Sequence, residues 1–151
     1  MTEQHDFEPV RQRREALYHV MLDLEVAIAA PVGDTEMWLE RVAAVAAQVR
    51  EVIDEHIAET EAPGGFLQQV VSESPRLVNK ANRLEREHAD LQHEAGHLVT
   101  VLSSYESADL AEATSEVRRQ ANELLGDLTR HRQRGSDLIY EAYEVDIGGG
   151  C

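Results

Sequence analysis

The strongest constraint on the fold of this chain is the spacing of its apolar residues, which recur at steps of three and four along most of its length. Four long segments carry this pattern, and the alternation of apolar and polar residues that is typical of a strand is almost absent. Steps of three and four place the apolar side chains on one face of a helix. The sequence therefore predicts an all-α protein in which each helix buries one face against the others.

Proline and glycine residues separate these segments at 31–33 and 63–65, and a polar break follows at 103–109. The predicted helices run from about Pro9 to Ala30, from behind the N-cap Asp34, over the short piece Phe66–Val71, from Pro75 to about Leu102 and from about Leu110 to Val145. Because short connections favour antiparallel neighbours, we predict an up-down-up-down four-helix bundle with a short extra helix between helices two and three. Residues 1–151 are expected to form one domain with a flexible tail at 147–151.

Charge and hydropathy exclude several classes of partner. The 14 basic and 29 acidic residues give a net charge of −15, which disfavours nucleic acid and anionic membrane surfaces. The longest strictly apolar run, 42–47, is too short to span a bilayer, and the N-terminus lacks the apolar stretch of a signal peptide. We therefore expect an acidic cytoplasmic protein, with self-association left open.

Three histidines interrupt the apolar stripes. His56, His88 and His131 stand where an apolar residue is expected on helices two, three and four. An imidazole is costly to bury without a partner, and metal sites in helix bundles are built from side chains that point inward from different helices. Neutral imidazoles suit iron, zinc and copper. The pattern predicts a shared histidine cluster, and the alternative is a set of core histidines that bond to one another or to polar residues such as Thr60 and Asn82.

The segments around these histidines are HIAETEAPGGFL (56–67), LEREHADL (84–91) and RHRQRGSDL (130–138). In this arrangement the chain resembles the hemerythrin-like (HHE) cation-binding family over nearly its whole length. In that family, helical histidines with a carboxylate four or five residues further on hold a non-haem diiron centre that binds or senses oxygen. The resemblance implies a four-helix bundle with His56, His88 and His131 as ligands.

The chain also departs from the family pattern. Thr60 and Gly135 stand where the resemblance implies carboxylate ligands, although Glu59 and Glu61 flank the first of these positions. Glu59 is rotated by about 60° around the helix from His56, so it reaches the site imperfectly. On the first helix, His19 lies away from the main stripe. We predict an incomplete metal-ligand set that consists of His56, Glu59, His88 and His131.

The sequence thus favours a non-enzymatic hemerythrin-like protein that binds non-haem iron or oxygen at an incomplete site. A metal-free bundle that serves as an interaction or scaffold protein remains the alternative. A remote third hypothesis is a zinc hydrolase, because His93, Glu94 and His97 match the H-E-x-x-H motif. Both motif histidines fall opposite the apolar stripe of their helix, so we interpret the match as coincidental.

A short basic stretch is formed by Arg130, Arg132 and Arg134. In an acidic protein such a stretch usually forms ion pairs on a solvated face. We therefore expect these arginines to pair with acids of a neighbouring helix, such as Glu85 or Glu87.

Overall fold

The computed structural model of the protein describes residues 8–105 and 110–145, and within those ranges no strand occurs. Its elements are α1 (Glu8–Ala29), α2 (Thr35–Glu61), α3 (Phe66–Glu73), a single 3-10 turn (Pro75–Leu77), α4 (Val78–Ser104), α5 (Leu110–Ile139) and a final π-helical segment (Tyr140–Val145). The predicted helices, including the short one between helices two and three, are thereby confirmed. The predicted tail at 147–151 lies outside the described residues.

The connection from α1 to α2 ends in a conventional helix cap. The Asp34 carboxylate accepts a hydrogen bond from the Met37 backbone N–H at 3.2 Å, which satisfies one of the donors that the first turn of a helix leaves free. Gly33, just before the cap, has a φ of +56°, a conformation that glycine adopts without steric cost. The predicted N-cap at Asp34 is confirmed.

The turn between α2 and α3 depends on two glycines. Gly64 has a φ of +76°. A Cβ atom on Gly65 would lie only 2.7 Å from the Glu59 carbonyl oxygen and 2.8 Å from that of Ala62, so no larger residue fits without moving the backbone. This tight turn brings α3 back across the end of the bundle.

The four long helices pack in chain order, with α5 closing the ring against α1. Arg14 near the start of α1 donates a hydrogen bond to Ser136 near the end of α5. Lys80 near the start of α4 forms an ion pair at 2.6 Å with Glu141, just beyond the end of α5. These contacts join opposite ends of neighbouring helices, in agreement with an antiparallel four-helix bundle.

The buried apolar residues form two clusters. The larger cluster fills the middle of the bundle and the end that holds the α1–α2 connection, and it includes Leu24, Val49, Leu98 and Leu124. The smaller cluster joins α3 to the start of α4 and the end of α5, and Val70 and Leu138 are its most buried members. The three stripe histidines lie along the chain between residues of the two clusters.

The spacing predicts inward-facing stripes of Leu17, Met21, Leu24 and Ile28 on α1 and of Val42, Val45, Val49 and Val52 on α2. The stripe of α1 is confirmed, whereas that of α2 is wrong at two positions. Ala46 and Ile53 are buried, while the predicted Val45 and Val52 are only partly buried beside them. The segment around them is rich in valine and alanine, so several of its faces are apolar and packing against the neighbouring helices decides which one is buried. None of the described helices combines the length and hydropathy that a membrane span requires.

Candidate metal centre

The three stripe histidines meet inside the bundle. Each of His56, His88 and His131 offers one ring nitrogen to a group in which all three nitrogens lie within 4.8 Å of one another. His88 and His131 are 3% and 4% exposed, and His56 is partly buried. The ring centroids are 4.9–5.4 Å apart in edge-to-face arrangements. The predicted convergence of imidazoles from three helices is confirmed.

Two carboxylates orient two of the three rings. Glu61 accepts a hydrogen bond from His88 Nδ1 at 2.9 Å, and Glu87 accepts one from His131 Nδ1 at the same distance. Because an ionised carboxylate only accepts hydrogen bonds, Nδ1 is the donor in both contacts, and in a neutral imidazole this leaves a lone pair on Nε2. A carboxylate behind the imidazole is the usual partner of a metal-binding histidine.

The third ring, that of His56, has no carboxylate on its outer nitrogen within the described residues. The Thr60 hydroxyl donates to the His56 carbonyl oxygen at 2.8 Å, while His56 Nδ1 is buried and has no hydrogen-bond partner among the described residues. Burial is the largest cause that lowers the pKa of His56 to about 3, and the two neighbouring imidazoles and Arg14 add to it. Burial also lowers the pKa of His131 to about 3, with contributions from His88 and Arg134. His56 and His131 are therefore neutral at pH 7, the form that binds metals.

One pair of ring nitrogens has the separation that two ligands on one ion would have. His56 Nε2 and His131 Nε2 are 3.3 Å apart. Two imidazole nitrogens bound tetrahedrally at about 2.0–2.1 Å from an ion would be about 3.3–3.4 Å apart. The same distance also permits one N–H···N hydrogen bond in the absence of an ion. The arrangement can thus hold either a metal ion or a proton between the rings.

A small cavity adjoins the three imidazoles. Its volume is about 30 Å³, and about 10–15 Å³ on the same measure accommodates one water molecule. The cavity therefore has room for an ion together with a small ligand. Apolar side chains from α1, α3, α4 and α5 form much of its wall, namely Leu17, Phe66, Leu67, Leu84 and Ile139.

The positions where the resemblance implies carboxylates both border this cavity. Thr60 and Gly135 are among its lining residues, and a Cβ atom on Gly135 would meet no other atom within 4 Å. The predicted ligand Glu59 is partly buried and lies outside the group of three histidines, so its role as a ligand stays a prediction. Glu61 and Glu87 instead bond to the outer nitrogens of the rings.

The contribution of α1 to the site was missed by the sequence analysis. His19 is exposed on α1, and Arg14 lines the cavity in its place. The signal was present in the spacing, because Arg14 stands three residues before Leu17 and so continues the apolar stripe of α1. Burial lowers the pKa of Arg14, with a further contribution from the nearby Arg132 guanidinium.

The H-E-x-x-H residues face away from this centre. His93 and His97 are exposed, with their rings stacked at 6.4 Å between centroids. Glu94 turns toward Asp127 of α5, and the two side chains share a hydrogen bond. Burial and the neighbouring acids raise the pKa of Glu94 to about 8. The hydrolase hypothesis needs the Glu94 carboxylate as a base beside the two histidines. The side chain is instead directed to another helix.

One of the three arginines on α5 forms the predicted ion pair with a neighbouring helix, and a second pairs within its own helix. Arg134 bonds to Glu87 at 3.0 Å, which confirms that predicted partner, and Arg130 pairs with Asp127 on its own helix. The expectation is wrong for Arg132, because its guanidinium lies over the Tyr18 ring, 4.8 Å from the centroid, and lines the cavity. Its position on α5, one residue after His131, turns it toward α1 and the cavity.

No family model, curated protein or solved structure matches the chain.

Proposed function

We propose that this protein is a metal-binding helical bundle that holds one first-row transition-metal ion through His56, His88 and His131. The single observation that carries the proposal is the convergence of three buried or partly buried imidazoles within 4.8 Å, two of them fixed by carboxylates on their outer nitrogens. The hemerythrin-like resemblance of the sequence favours Fe²⁺ as the ion, and a small molecule such as oxygen as the ligand that it binds.

The donor set fits one ion better than two. Imidazole ligands suit iron, zinc, copper and nickel alike. Paired iron sites in helix bundles use several inward-facing carboxylates, but the group of ligand atoms in the described part of the chain contains imidazoles alone. Thr60 and Gly135 supply no carboxylate. We therefore propose a mononuclear site rather than the diiron centre of the family.

The surrounding residues have separate roles in this proposal. Glu61 and Glu87 hold the His88 and His131 rings in the tautomer that presents a lone pair inward. The apolar wall from α1, α3 and α4 excludes bulk water from the imidazoles. A bound Fe²⁺ ion would supply a redox-active centre with coordination positions open to a small ligand.

A metal-free interaction bundle is the second candidate, and two observations favour it. The 3.3 Å separation between His56 Nε2 and His131 Nε2 suits a hydrogen bond without any ion. Tyr18, Leu22 and Val26 also expose apolar surface at four-residue intervals along α1. On this alternative the imidazoles are structural and the exposed face of α1 contacts another protein or a second copy of the chain.

Metal analysis separates the two candidates. Protein expressed in iron-supplemented medium and purified without chelator is assayed for iron, zinc, copper and nickel by mass spectrometry. We expect close to one ion per chain in the wild type and none in His88→Leu, because the substitution removes one of three ligands. An iron-loaded protein is further expected to show a charge-transfer absorption band.

The matched control is His93→Leu, which removes an exposed histidine from the same helix and should leave the metal content unchanged. Circular dichroism confirms that each variant keeps its helices. Equal metal content in wild type and His88→Leu would show that the three histidines are not the site. A wild-type protein without stoichiometric metal would favour the metal-free bundle.

A further inference from the structure

Two arginines that have no acidic partner among the described residues line the same cavity as the three imidazoles. Arg14 reaches it from α1 and Arg132 from α5. In a chain of net charge −15, acids are available to almost every cation, and Arg130 and Arg134 on either side of Arg132 both have one. Within the described ranges, the hydrogen bond of Arg14 goes to the uncharged Ser136, and Arg132 Nε is buried with no partner.

Two guanidinium groups at one cavity cost free energy unless an anion binds beside them. Both guanidinium groups line the cavity, and the positive charge of Arg132 lowers the pKa of Arg14. The Tyr18 ring beneath Arg132 holds that guanidinium in position but carries no charge. A buried charged donor without a partner is destabilising, as Arg132 Nε is, and the guanidinium of Arg14 adds a second positive charge at the same cavity, so this side of the cavity favours an anion.

The cavity limits what that anion can be. Beside Gly135 there is open space, since a Cβ atom there would meet nothing within 4 Å. The volume of about 30 Å³ suits a planar anion of few atoms, and the apolar wall favours one with a single charged end. Guanidinium groups bind carboxylates through paired N–H donors.

We propose that the cavity binds a small carboxylate such as formate or acetate between Arg14 and Arg132, next to the three imidazoles. The anion would lie beside the metal ion of the proposed function, as an external carboxylate in place of the carboxylates that positions 60 and 135 do not supply. The anion site itself is formed by the two arginines and does not require the ion.

The test is a titration with sodium formate at constant ionic strength, followed by the arginine Nε–H signals in ¹H–¹⁵N NMR spectra. It is performed on the chelator-treated protein and on the Zn²⁺-treated protein, so that anion binding and metal binding are measured separately. We expect the Arg14 and Arg132 signals to shift to saturation in both samples. Arg132→Gln and Arg14→Gln should each weaken formate binding by about tenfold or more, because each removes charge-assisted hydrogen bonds.

Arg130→Gln is the matched control, because Arg130 is an exposed arginine of α5 that is paired with Asp127. This variant should bind formate as the wild type does. In Gly135→Glu the new carboxylate should occupy the arginines and abolish formate binding, whereas Gly135→Gln should not. Phosphate, which is larger, should bind at least tenfold more weakly than formate.

Failure of saturation in both wild-type samples would overturn the proposal, as would equal formate binding in the wild type and in both cavity-arginine variants. Equal binding of phosphate and formate would overturn the assignment to small carboxylates. If the protein holds no metal but still binds formate, the formate result supports the anion site. The missing metal then refutes only the metal-binding function. The two proposals therefore fail by different results.

Discussion

The larger apolar cluster and the layer formed by His56, His88 and His131, here called the histidine layer, lie on the same helices with the same residue spacing. They differ in the kind of side chain that they bury. In the larger cluster, stripe positions such as Leu98 and Leu124 are almost fully buried hydrocarbon. In the histidine layer, the same faces of α2, α4 and α5 carry imidazoles that border a cavity. The comparison indicates that helical spacing fixes where a side chain points, while residue type decides whether that position serves packing or binding.

The largest expected difference concerns stability. Leu124→Ala should lower the free energy of unfolding by about 2–5 kcal/mol, because it leaves a cavity in close-packed hydrocarbon. In the metal-free protein, His88→Leu should cost less than about 1.5 kcal/mol, since the two side chains are similar in volume and Glu61 remains 30% exposed to water. Urea denaturation followed by circular dichroism measures both. Equal losses would mean that the imidazole layer stabilises the fold as strongly as the apolar cluster does.

The second expected effect is acid sensitivity that originates in the histidine layer. The folded-state pKa values of His56 and His131 are lowered to about 3, so below pH 6.5 the unfolded chain binds protons that the folded chain does not. Stability is therefore fully present above pH 6.5 and is lost as the pH falls. At pH 5 the loss should be roughly 2 kcal/mol for each of these two imidazoles.

Denaturation of chelator-treated protein at pH 7 and pH 5 tests this effect. His56→Leu should lose less stability between the two pH values than the wild type, by about the contribution of one imidazole. An unchanged pH dependence in this variant would show that His56 is already protonated in the folded bundle near pH 6.5.

Glu94, at the edge of the larger cluster, should produce the opposite pH dependence. Its folded-state pKa is raised to about 8 from the ordinary 4.5, so between these values the unfolded chain releases a proton that the folded chain retains. Stability should fall as the pH rises from 5 to 8, by about 1 kcal/mol, because solvent at this partly exposed group reduces the effect. Glu94→Gln should remove that decline in denaturation experiments at pH 5, 6, 7 and 8. A decline of the same size in the variant would assign it to other groups.

The smallest expected effect is a gain in stability within the histidine layer. Gly135→Ala should raise the free energy of unfolding by about 0.4–1 kcal/mol, because glycine is a poor helix former and an added Cβ meets nothing within 4 Å. Gly65→Ala is the contrasting variant and should destabilise the protein, since its Cβ would lie 2.7 Å from a backbone oxygen. Thermal denaturation of both variants measures the difference. A loss of stability in Gly135→Ala would show that this helix position is more crowded than the structure indicates.

Much of the fold followed from local rules. Asp34 supplies a cap, the glycines at 64 and 65 permit a tight turn, and the three-and-four spacing directs one face of each helix inward. The spacing failed at Val45 and Val52, where alanine-rich neighbours make more than one face apolar. Local rules also do not predict which side chains of different helices form hydrogen bonds, so the bonds of Glu61 and Glu87 to the imidazoles were not predicted.

By itself the sequence determined that the chain forms an antiparallel bundle and that three imidazoles occupy its inward faces, because both depend on periodicity within single helices. Only the tertiary structure decided that these imidazoles lie at one height, that Glu61 and Glu87 orient two of them, and that Arg14 and Arg132 share their cavity. Relative height and rotation between helices are fixed by the packing of side chains from all four of them.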